Sequence, residues 1–262
     1  MSHLIWTCDY EINSFLVNPL KRLGSFALLN LLQDTAWSHA THLGFGFKNL
    51  QESRVFWVLT RQKLKMNHWP QWGDRIQIKT WVREPSGPFA IRDFEICQNH
   101  KKIGESTTSW LLLDAETRKP LKNAVKNLDF EPRKEGVLDF DVPKIELKKD
   151  LQPLSQFQVR NSDLDMHQHV NNTRYLQWIL DSIPFSLHSK LILHEYEVNF
   201  LNETKDGDII TIQRDDTFQK EAPNMFWAHF QGYRASDQKY VFSARVLVRQ
   251  LQIENEIGQT FY

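Results

Sequence analysis

Apolar residues recur at helical spacing in two parts of the chain, and each set predicts an amphipathic helix. The first helix is predicted over about residues 25–40, with an apolar face formed by Leu28, Leu31, Leu32 and Ala36. The second is predicted over residues 172–183, before Pro184, with an apolar face formed by Leu176, Ile179, Leu180 and Ile183. Because a residue that precedes proline is disfavoured in a helix, Ile183 is a natural end for the second helix.

Alternating apolar and polar residues follow each helix and predict antiparallel strands. Gly73-Asp74 and Gly207-Asp208 are turns, 134 positions apart (207 − 73), and each leads into an alternating segment. Further strands are predicted over residues 90–97 and 106–113 in the first half, and 226–233 and 240–248 in the second. The chain therefore contains two copies of one α+β unit, in which a curved sheet wraps a central helix.

Each copy is predicted to begin with its helix, an order that excludes a doubly wound parallel sheet. We expect an N-terminal unit over residues 1–133 and a C-terminal unit over residues 154–262. Residues 134–153 are charged and contain proline, which predicts a linker.

Bulk composition narrows the function classes. Hydrophobic residues make up 41% of the chain and include 17 Phe and 9 Trp, enough for a packed core. The 32 basic and 32 acidic residues balance, so charge does not favour a nucleic-acid partner. No apolar run reaches the roughly 18 residues of a membrane span. The N-terminus lacks a signal or transit pattern, and Cys8 and Cys97 alone predict neither a disulfide framework nor a zinc site, so we expect a cytoplasmic protein.

A dense group of polar residues immediately precedes the second helix. It comprises Asp165, His167, His169, Asn171 and Asn172. Asn171 or Asn172 can cap the helix by accepting a backbone N–H. Backbone N–H groups at a helix start carry partial positive charge, so this position suits a carboxylate or a developing oxyanion.

The polar group has no counterpart in the first copy. Depending on the register chosen, Asp165, His167 and His169 align with Leu20, Arg22 and Gly24 or with Asn18, Leu20 and Arg22. Residues that occur in only one copy are not required by the fold that the two copies share. We therefore expect one active site per chain, in the C-terminal unit.

Eight short segments, spread over nearly the whole chain, match the pattern of a known family: Tyr10–Ile12, Leu29–Ala36, Trp57–Arg61, Trp72–Asp74, Thr80–Val82, Ser109-Trp110, Ser162–Asn172 and Tyr175–Ser182. In these segments the sequence resembles the acyl-acyl-carrier-protein (acyl-ACP) thioesterases of plants and bacteria. It implies a double hotdog fold and a thiolester hydrolase of fatty acid biosynthesis. Such an enzyme ends chain elongation by splitting the thioester between a fatty acyl chain and the phosphopantetheine arm of acyl carrier protein. No cofactor is implied.

The resemblance also implies the site residues. The family motif is Asp-x-Asn-x-His, followed downstream by a catalytic Glu and an adjacent Cys. Asp165 and His169 match the motif, and His167 stands at the Asn position. Counting from Pro184 without gaps places the Glu at Glu203 and the Cys at Thr204. A competing alignment would place the Glu at Asn199, but it needs an insertion.

We expect Glu203 to act as general base and His169 to orient the water or carry its proton. Asp165 would accept an imidazole N–H and so fix its tautomer. Since threonine replaces the cysteine, direct attack by water is favoured over a covalent thiol route. Asn171, Asn172 and Thr204 are the expected substrate-binding residues, and backbone N–H groups of the helix would complete the oxyanion site.

Three alternatives stay open at this point. Asp165-x-His167-x-His169 could ligate a metal, but no further His or Cys cluster completes the ligand set. The same fold could act on acyl-CoA, or it could bind acyl groups without catalysis, given His167 and Thr204.

Surface lysines could receive an acidic carrier protein. The sheet edges of such a fold could also support a homodimer.

Overall fold

The computed structural model describes residues 4–121, 131–134, 138, 141–215, 217 and 219–251. In chain order its helices and strands are β1 (Trp6–Glu11), α1 (Ser25–His42), α2 (Phe47–Glu52), β2 (Val55–Met66), β3 (Arg75–Val82), β4 (Ala90–Gln98), β5 (Lys101–Asp114), β6 (Gln152–Gln158), α3 (Arg174–Asp181), α4 (Phe185–His188), β7 (Leu191–Phe200), β8 (Ile209–Arg214), β9 (Gln219–Ala222), β10 (Met225–Arg234) and β11 (Lys239–Gln250).

These strands form one antiparallel sheet with an internal two-fold pattern. The strand order is β1-β3-β4-β5-β2-β7-β11-β10-β8-β6, and the short strand β9 pairs with β10. Strands from the first half occupy one end and strands from the second half the other. The two ends join through β2 and β7, where Leu64 lies opposite Tyr196. The predicted repeat and the α+β class are therefore both present.

Each unit begins with a strand, which corrects the expectation that each begins with its helix. β1 pairs with β3 and β6 pairs with β8, so these two strands end the sheet on opposite sides. β1 alternates throughout between half-buried and exposed residues, and β6 does so from residue 155 to residue 158, as expected for an edge strand that is covered on one face only. Pro153 within β6 suits an edge, because proline cannot donate a ladder hydrogen bond.

The two central helices share one core. Leu28 and Leu32 of α1 and Leu176 and Ile179 of α3 are almost fully buried in the same hydrophobic cluster. Since α1 and α3 also contact each other, the two units share one apolar interior. α3 begins at Arg174, two residues later than predicted, because a turn closed by Asn171 precedes it.

The Gly-Asp turns confirm that the two halves repeat in detail. Gly73 and Gly207 have φ angles of 86° and 81°, in the left-handed region. The following carboxylates each accept the backbone N–H three residues earlier, from Gln71 at 2.7 Å and from Lys205 at 3.0 Å. The same side-chain bond therefore closes both turns at the start of β3 and β8.

The boundaries proposed for the two units stay a prediction. Of the expected linker, residues 134–153, residues 135–137, 139 and 140 lie outside the described residues, and β6 begins inside it at Gln152. Leu138, Val142 and Ile145 of this segment are buried, so its described part packs on the protein. Among the described residues, no helix is long and apolar enough to cross a membrane.

Replacing Gly207 with alanine tests the turn that precedes β8. No atom lies within 4 Å of the added methyl group, so the cost is the left-handed backbone alone. We expect Gly207→Ala and Gly73→Ala each to lower the free energy of unfolding by about 1–2 kcal/mol in urea titrations. Gly24→Ala is the control, because Gly24 has a φ of −69° and ordinary contacts. An equal loss in the control would remove backbone conformation as the cause.

Candidate active site

Asp165 organises the loop that carries both histidines. Its Oδ1 accepts the backbone N–H of His167 at 2.8 Å and that of His169 at 3.3 Å. Its own N–H donates to the carbonyl of His169, and Gln168 adopts a φ of 62° within the turn. The turn thus fixes where the two imidazoles leave the backbone.

The first unit contains the same loop without the histidines. Asn18 Oδ1 accepts the N–H groups of Leu20 at 2.9 Å and Arg22 at 3.3 Å, and Lys21 has a φ of 58°. The structural register therefore aligns Asp165 with Asn18. This corrects the inference that Asp165 is free of a shared duty, because one of its oxygens holds the backbone of a repeated turn. We expected an imidazole N–H to donate to Asp165, but the donors to its Oδ1 are the backbone N–H groups of His167 and His169.

Glu203 and His169 come together although they are far apart in sequence. His169 Nε2 lies 3.5 Å from Glu203 Oε2. Glu203 follows β7 in a loop that leads to the Gly207-Asp208 turn, while His169 precedes α3. The ungapped alignment predicted this pairing. In the competing alignment, Asn199 lies within β7, and its amide bonds to the backbone of Ile145 and Pro143 instead.

Arg234 holds the backbone at Glu203. Its Nη1 donates to the Glu203 carbonyl at 2.8 Å and to Asp208 Oδ2 at 2.6 Å. Asp237 accepts two further bonds from the same guanidinium, and with Asp208 it raises the pKa of Arg234 above its ordinary value. The carboxylate of the repeated Gly-Asp turn is thereby linked to the candidate catalytic loop.

Arg118 of the first unit reaches the same carboxylate, which sequence reasoning did not foresee. Its Nη2 donates to Glu203 Oε1, which makes the two side chains an ion pair. The guanidinium carbon also lies 5.2 Å from the centre of the Phe56 ring. The two carboxylate oxygens therefore face different partners, Arg118 on one side and His169 on the other.

These side chains line a cavity of about 1170 Å³ formed by both units. Asp165, His167, His169, Asn172 and Glu203 contribute the polar end. The first unit contributes a largely aromatic and aliphatic wall that includes Trp37, Phe45, Phe47, Phe56, Trp57 and Trp110. Such a combination suits a ligand with a polar reactive group and a long apolar tail.

The three expected substrate-binding residues occupy different environments. Asn172 lines the cavity, whereas Asn171 Oδ1 accepts bonds from the backbone and side chain of Thr173, both at 3.0 Å. Thr204 is fully buried at the cavity wall and bonds to the Tyr175 hydroxyl. Burial raises the pKa of Tyr175 to about 12, so this pair is neutral. Asn171 thus serves the turn before α3.

Only part of the helix start is available for an oxyanion. The N–H groups of Thr173 and Arg174 already donate to the side chain and carbonyl of Asn171. Asn172 lines the cavity, so among the residues of this segment it is the one best placed to donate to an oxyanion.

His167 takes the position of the family asparagine and packs on the first unit. Its ring centre lies 5.8 Å from that of Phe47, which in turn lies 6.3 Å from Trp37.

The described residues contain no group of three or more His, Cys, Asp or Glu side chains arranged to hold a metal.

Comparison with known proteins identifies the family. The family model described as "Acyl-ACP thioesterase N-terminal domain" matches residues 4–126, and "Acyl-ACP thioesterase C-terminal domain" matches residues 147–243. The chain belongs to the acyl-ACP thioesterase family. A crystal structure of an acyl-ACP thioesterase from Bacteroides thetaiotaomicron is 26% identical, covers 94% of this chain and 98% of its own, and superposes with a TM-score of 0.80.

Several plant proteins are also similar to this acyl-ACP thioesterase family member. Oleoyl-acyl carrier protein thioesterase 2 of Arabidopsis thaliana, a chloroplastic protein, is 27% identical over 87% of this chain and 66% of its own length. The chloroplastic oleoyl-acyl carrier protein thioesterase of Coriandrum sativum is 30% identical over 70% and 55%, respectively. The chain thus spans about half to two thirds of these relatives. The 12:0-ACP thioesterase structure from Umbellularia californica, 20% identical, has a TM-score of 0.81 over 94% of each chain and shares the hotdog fold.

The two repeated loops allow the structural role of Asp165 to be measured separately. Asp165→Asn keeps the oxygen that accepts both N–H groups, so we expect the free energy of unfolding to stay within about 0.5 kcal/mol of wild type. Asp165→Ala should lower it by about 0.5–2 kcal/mol, the range for loss of a side-chain acceptor at a helix start. Urea denaturation measures both.

Asn18→Ala is the matched control in the first unit. It should cost about as much stability as Asp165→Ala, about 0.5–2 kcal/mol, because it removes the same pair of bonds. If Asp165→Asn instead destabilises as strongly as Asp165→Ala, the loop depends on the charge and the equivalence with Asn18 is wrong.

Proposed function

We propose that this protein hydrolyses the thioester of fatty acyl-ACP and releases free fatty acid and carrier thiol. The observation that carries the proposal is the Glu203–His169 contact of 3.5 Å at the polar end of a large, mostly apolar cavity. Membership of the acyl-ACP thioesterase family supports the choice of substrate.

Glu203 Oε2 is the proposed general base. A water between this oxygen and the acyl carbonyl carbon gives up a proton and forms the new C–O bond. Collapse of the tetrahedral intermediate breaks the C–S bond. The proton held by Glu203 Oε2 passes to His169 Nε2, 3.5 Å away, and His169 delivers it to the leaving thiolate. Because Thr204 is buried and bonded to Tyr175, it does not present a nucleophile, which favours direct attack by water.

The developing oxyanion is proposed to lie near Asn172 and His167, which line the same cavity as Glu203. Each can donate a hydrogen bond, from an amide or an imidazole N–H. The acyl tail would extend toward the first unit, where Trp57 and Trp110 form part of the wall. Burying each methylene there contributes about 0.8 kcal/mol, so cavity length governs chain preference.

Acyl carrier protein is the proposed partner, and its phosphopantetheine arm would enter at the polar end of the cavity. The cytoplasm is the proposed location, supported by the free cysteines Cys8 and Cys97. A homodimer is also proposed, with the terminal strands β1 and β6 as the available sheet edges.

Removing either member of the candidate pair should stop the chemical step. We expect Glu203→Gln and His169→Ala each to lower kcat for acyl-ACP by at least about 100-fold, the range for loss of a positioned acid or base. Melting temperatures should stay near that of wild type, since both side chains are partly exposed. Steady-state thiol release measures kcat. A wild-type rate in either variant would exclude that residue from the mechanism.

The carrier is tested by comparing one acyl chain on ACP and on CoA. We expect kcat/KM to be higher for the ACP thioester, because only the protein carrier can add contacts outside the cavity. The Glu203→Gln protein is the blank for both substrates. A clear CoA preference would assign the protein to acyl-CoA hydrolysis, and binding without thiol release would make it a non-catalytic acyl-binding protein.

A further inference from the structure

Glu203 is held by contacts from opposite units of the molecule. The second unit fixes its backbone, through the bond from Arg234 to its carbonyl and through Val170, whose N–H donates to the next carbonyl, that of Thr204, at 2.9 Å. The side chain is not fixed by its own unit to the same degree. It remains 36% exposed, and a glutamate in such a position can occupy several rotamers.

Arg118 is well placed to select one of those rotamers because its own position is constrained. It lies in a tight turn after β5, where Asp114 Oδ1 accepts the N–H groups of Glu116 at 3.1 Å and Thr117 at 2.7 Å. The Arg118 N–H donates to the Asp114 carbonyl at 2.9 Å, and its φ is 55°. The guanidinium also lies over the Phe56 ring on β2.

We propose that Arg118 is a positioning residue for catalysis, which rests on the proposed function. By binding Oε1 it directs Oε2 of Glu203 toward His169 and the attacking water. The general base of the second unit is therefore oriented by the first unit, and neither unit alone contains a complete site. A positioned base matters because a shift of about 1 Å can cost about 100-fold in rate.

The Arg118–Glu203 ion pair is partly exposed to solvent, so it contributes little to the stability of the fold. A role in catalysis explains the pair better. The side chains of Arg118 and Glu203 are 48% and 36% exposed, and water screens such pairs. Arg75 and Glu11 form another Arg–Glu pair at 3.1 Å between β3 and β1, with more exposed side chains (84% and 60%), and neither residue lines the cavity. That pair supplies a matched control.

The first measurement compares Arg118→Gln, Arg118→Lys and Arg75→Gln on acyl-ACP. We expect Arg118→Gln to lower kcat about 10- to 100-fold with little change in KM, since acyl binding depends on the apolar wall. Arg118→Lys should recover part of the loss, because it restores the charge without the planar donor pair. Methylguanidinium should raise the rate of Arg118→Gln, and sodium chloride of equal ionic strength should not. Arg75→Gln should match wild type.

The second measurement does not depend on hydrolysis. The ring nitrogens of His169, observed by 15N NMR, should shift in Arg118→Gln in the same direction as in Glu203→Gln, because both changes remove the carboxylate from its position. Arg75→Gln should leave them unchanged. If wild type does not hydrolyse acyl-ACP, the proposed function fails while these shifts still report on positioning.

Two results would overturn the proposal. One is an Arg118→Gln protein with wild-type kcat and unchanged His169 signals, which would make the ion pair incidental. The other is a loss confined to KM, unaffected by methylguanidinium, which would place Arg118 in substrate binding instead.

Discussion

The pairing of β2 with β7 is the constraint on which the rest of the structure depends. It joins the strands of two repeated units into one continuous sheet, with Gln62 opposite Val198 and Leu64 opposite Tyr196. Because the units share this junction, the cavity has walls from both of them. The aromatic wall comes from the first unit, and most of the polar end comes from the second. The way in which the two similar units associate therefore determines which unit supplies the apolar lining of the site and which supplies most of its polar groups.

Duplication also explains how a reactive loop can be added without disturbing the fold. Asn18 and Asp165 close equivalent turns by accepting equivalent backbone N–H groups. The turn is common to both units, while the side chains it displays differ. Leu20 and Arg22 occupy the places of His167 and His169 in the first unit. The chemistry is therefore carried by substitutions on a scaffold that the hydrogen bonds of the backbone maintain.

Sequence patterns predicted what local spacing and repetition determine. The two helices, the paired turns at Gly73 and Gly207, and the strands β3, β4, β5, β8, β10 and β11 follow from periodicity and turn chemistry. The Glu203–His169 contact was also predicted, but from family spacing, because no local pattern connects residues 34 positions apart (203 − 169). The edge strands β1 and β6 were missed because short, partly exposed strands carry a weak alternating signal. The strands β2 and β7, which join the two units, were not predicted from the sequence either.

The remaining features depend on contacts between distant segments. The Asp114–Thr117 turn is recognisable in sequence, but nothing local indicates that Arg118 after it meets Glu203. Arg234 was likewise indistinguishable from any other strand-end arginine until its bonds to Asp208 and the Glu203 carbonyl were known. The double role of Asp165 became clear only when the structure fixed the register of the two copies. The most direct test of the whole account is a crystal structure with a non-hydrolysable acyl-carrier thioether. The carbon that replaces the acyl carbonyl carbon in this thioether should lie one water molecule away from Glu203 and His169, and the acyl tail should lie along the first unit's aromatic wall. A thioether bound away from this pair would contradict the account.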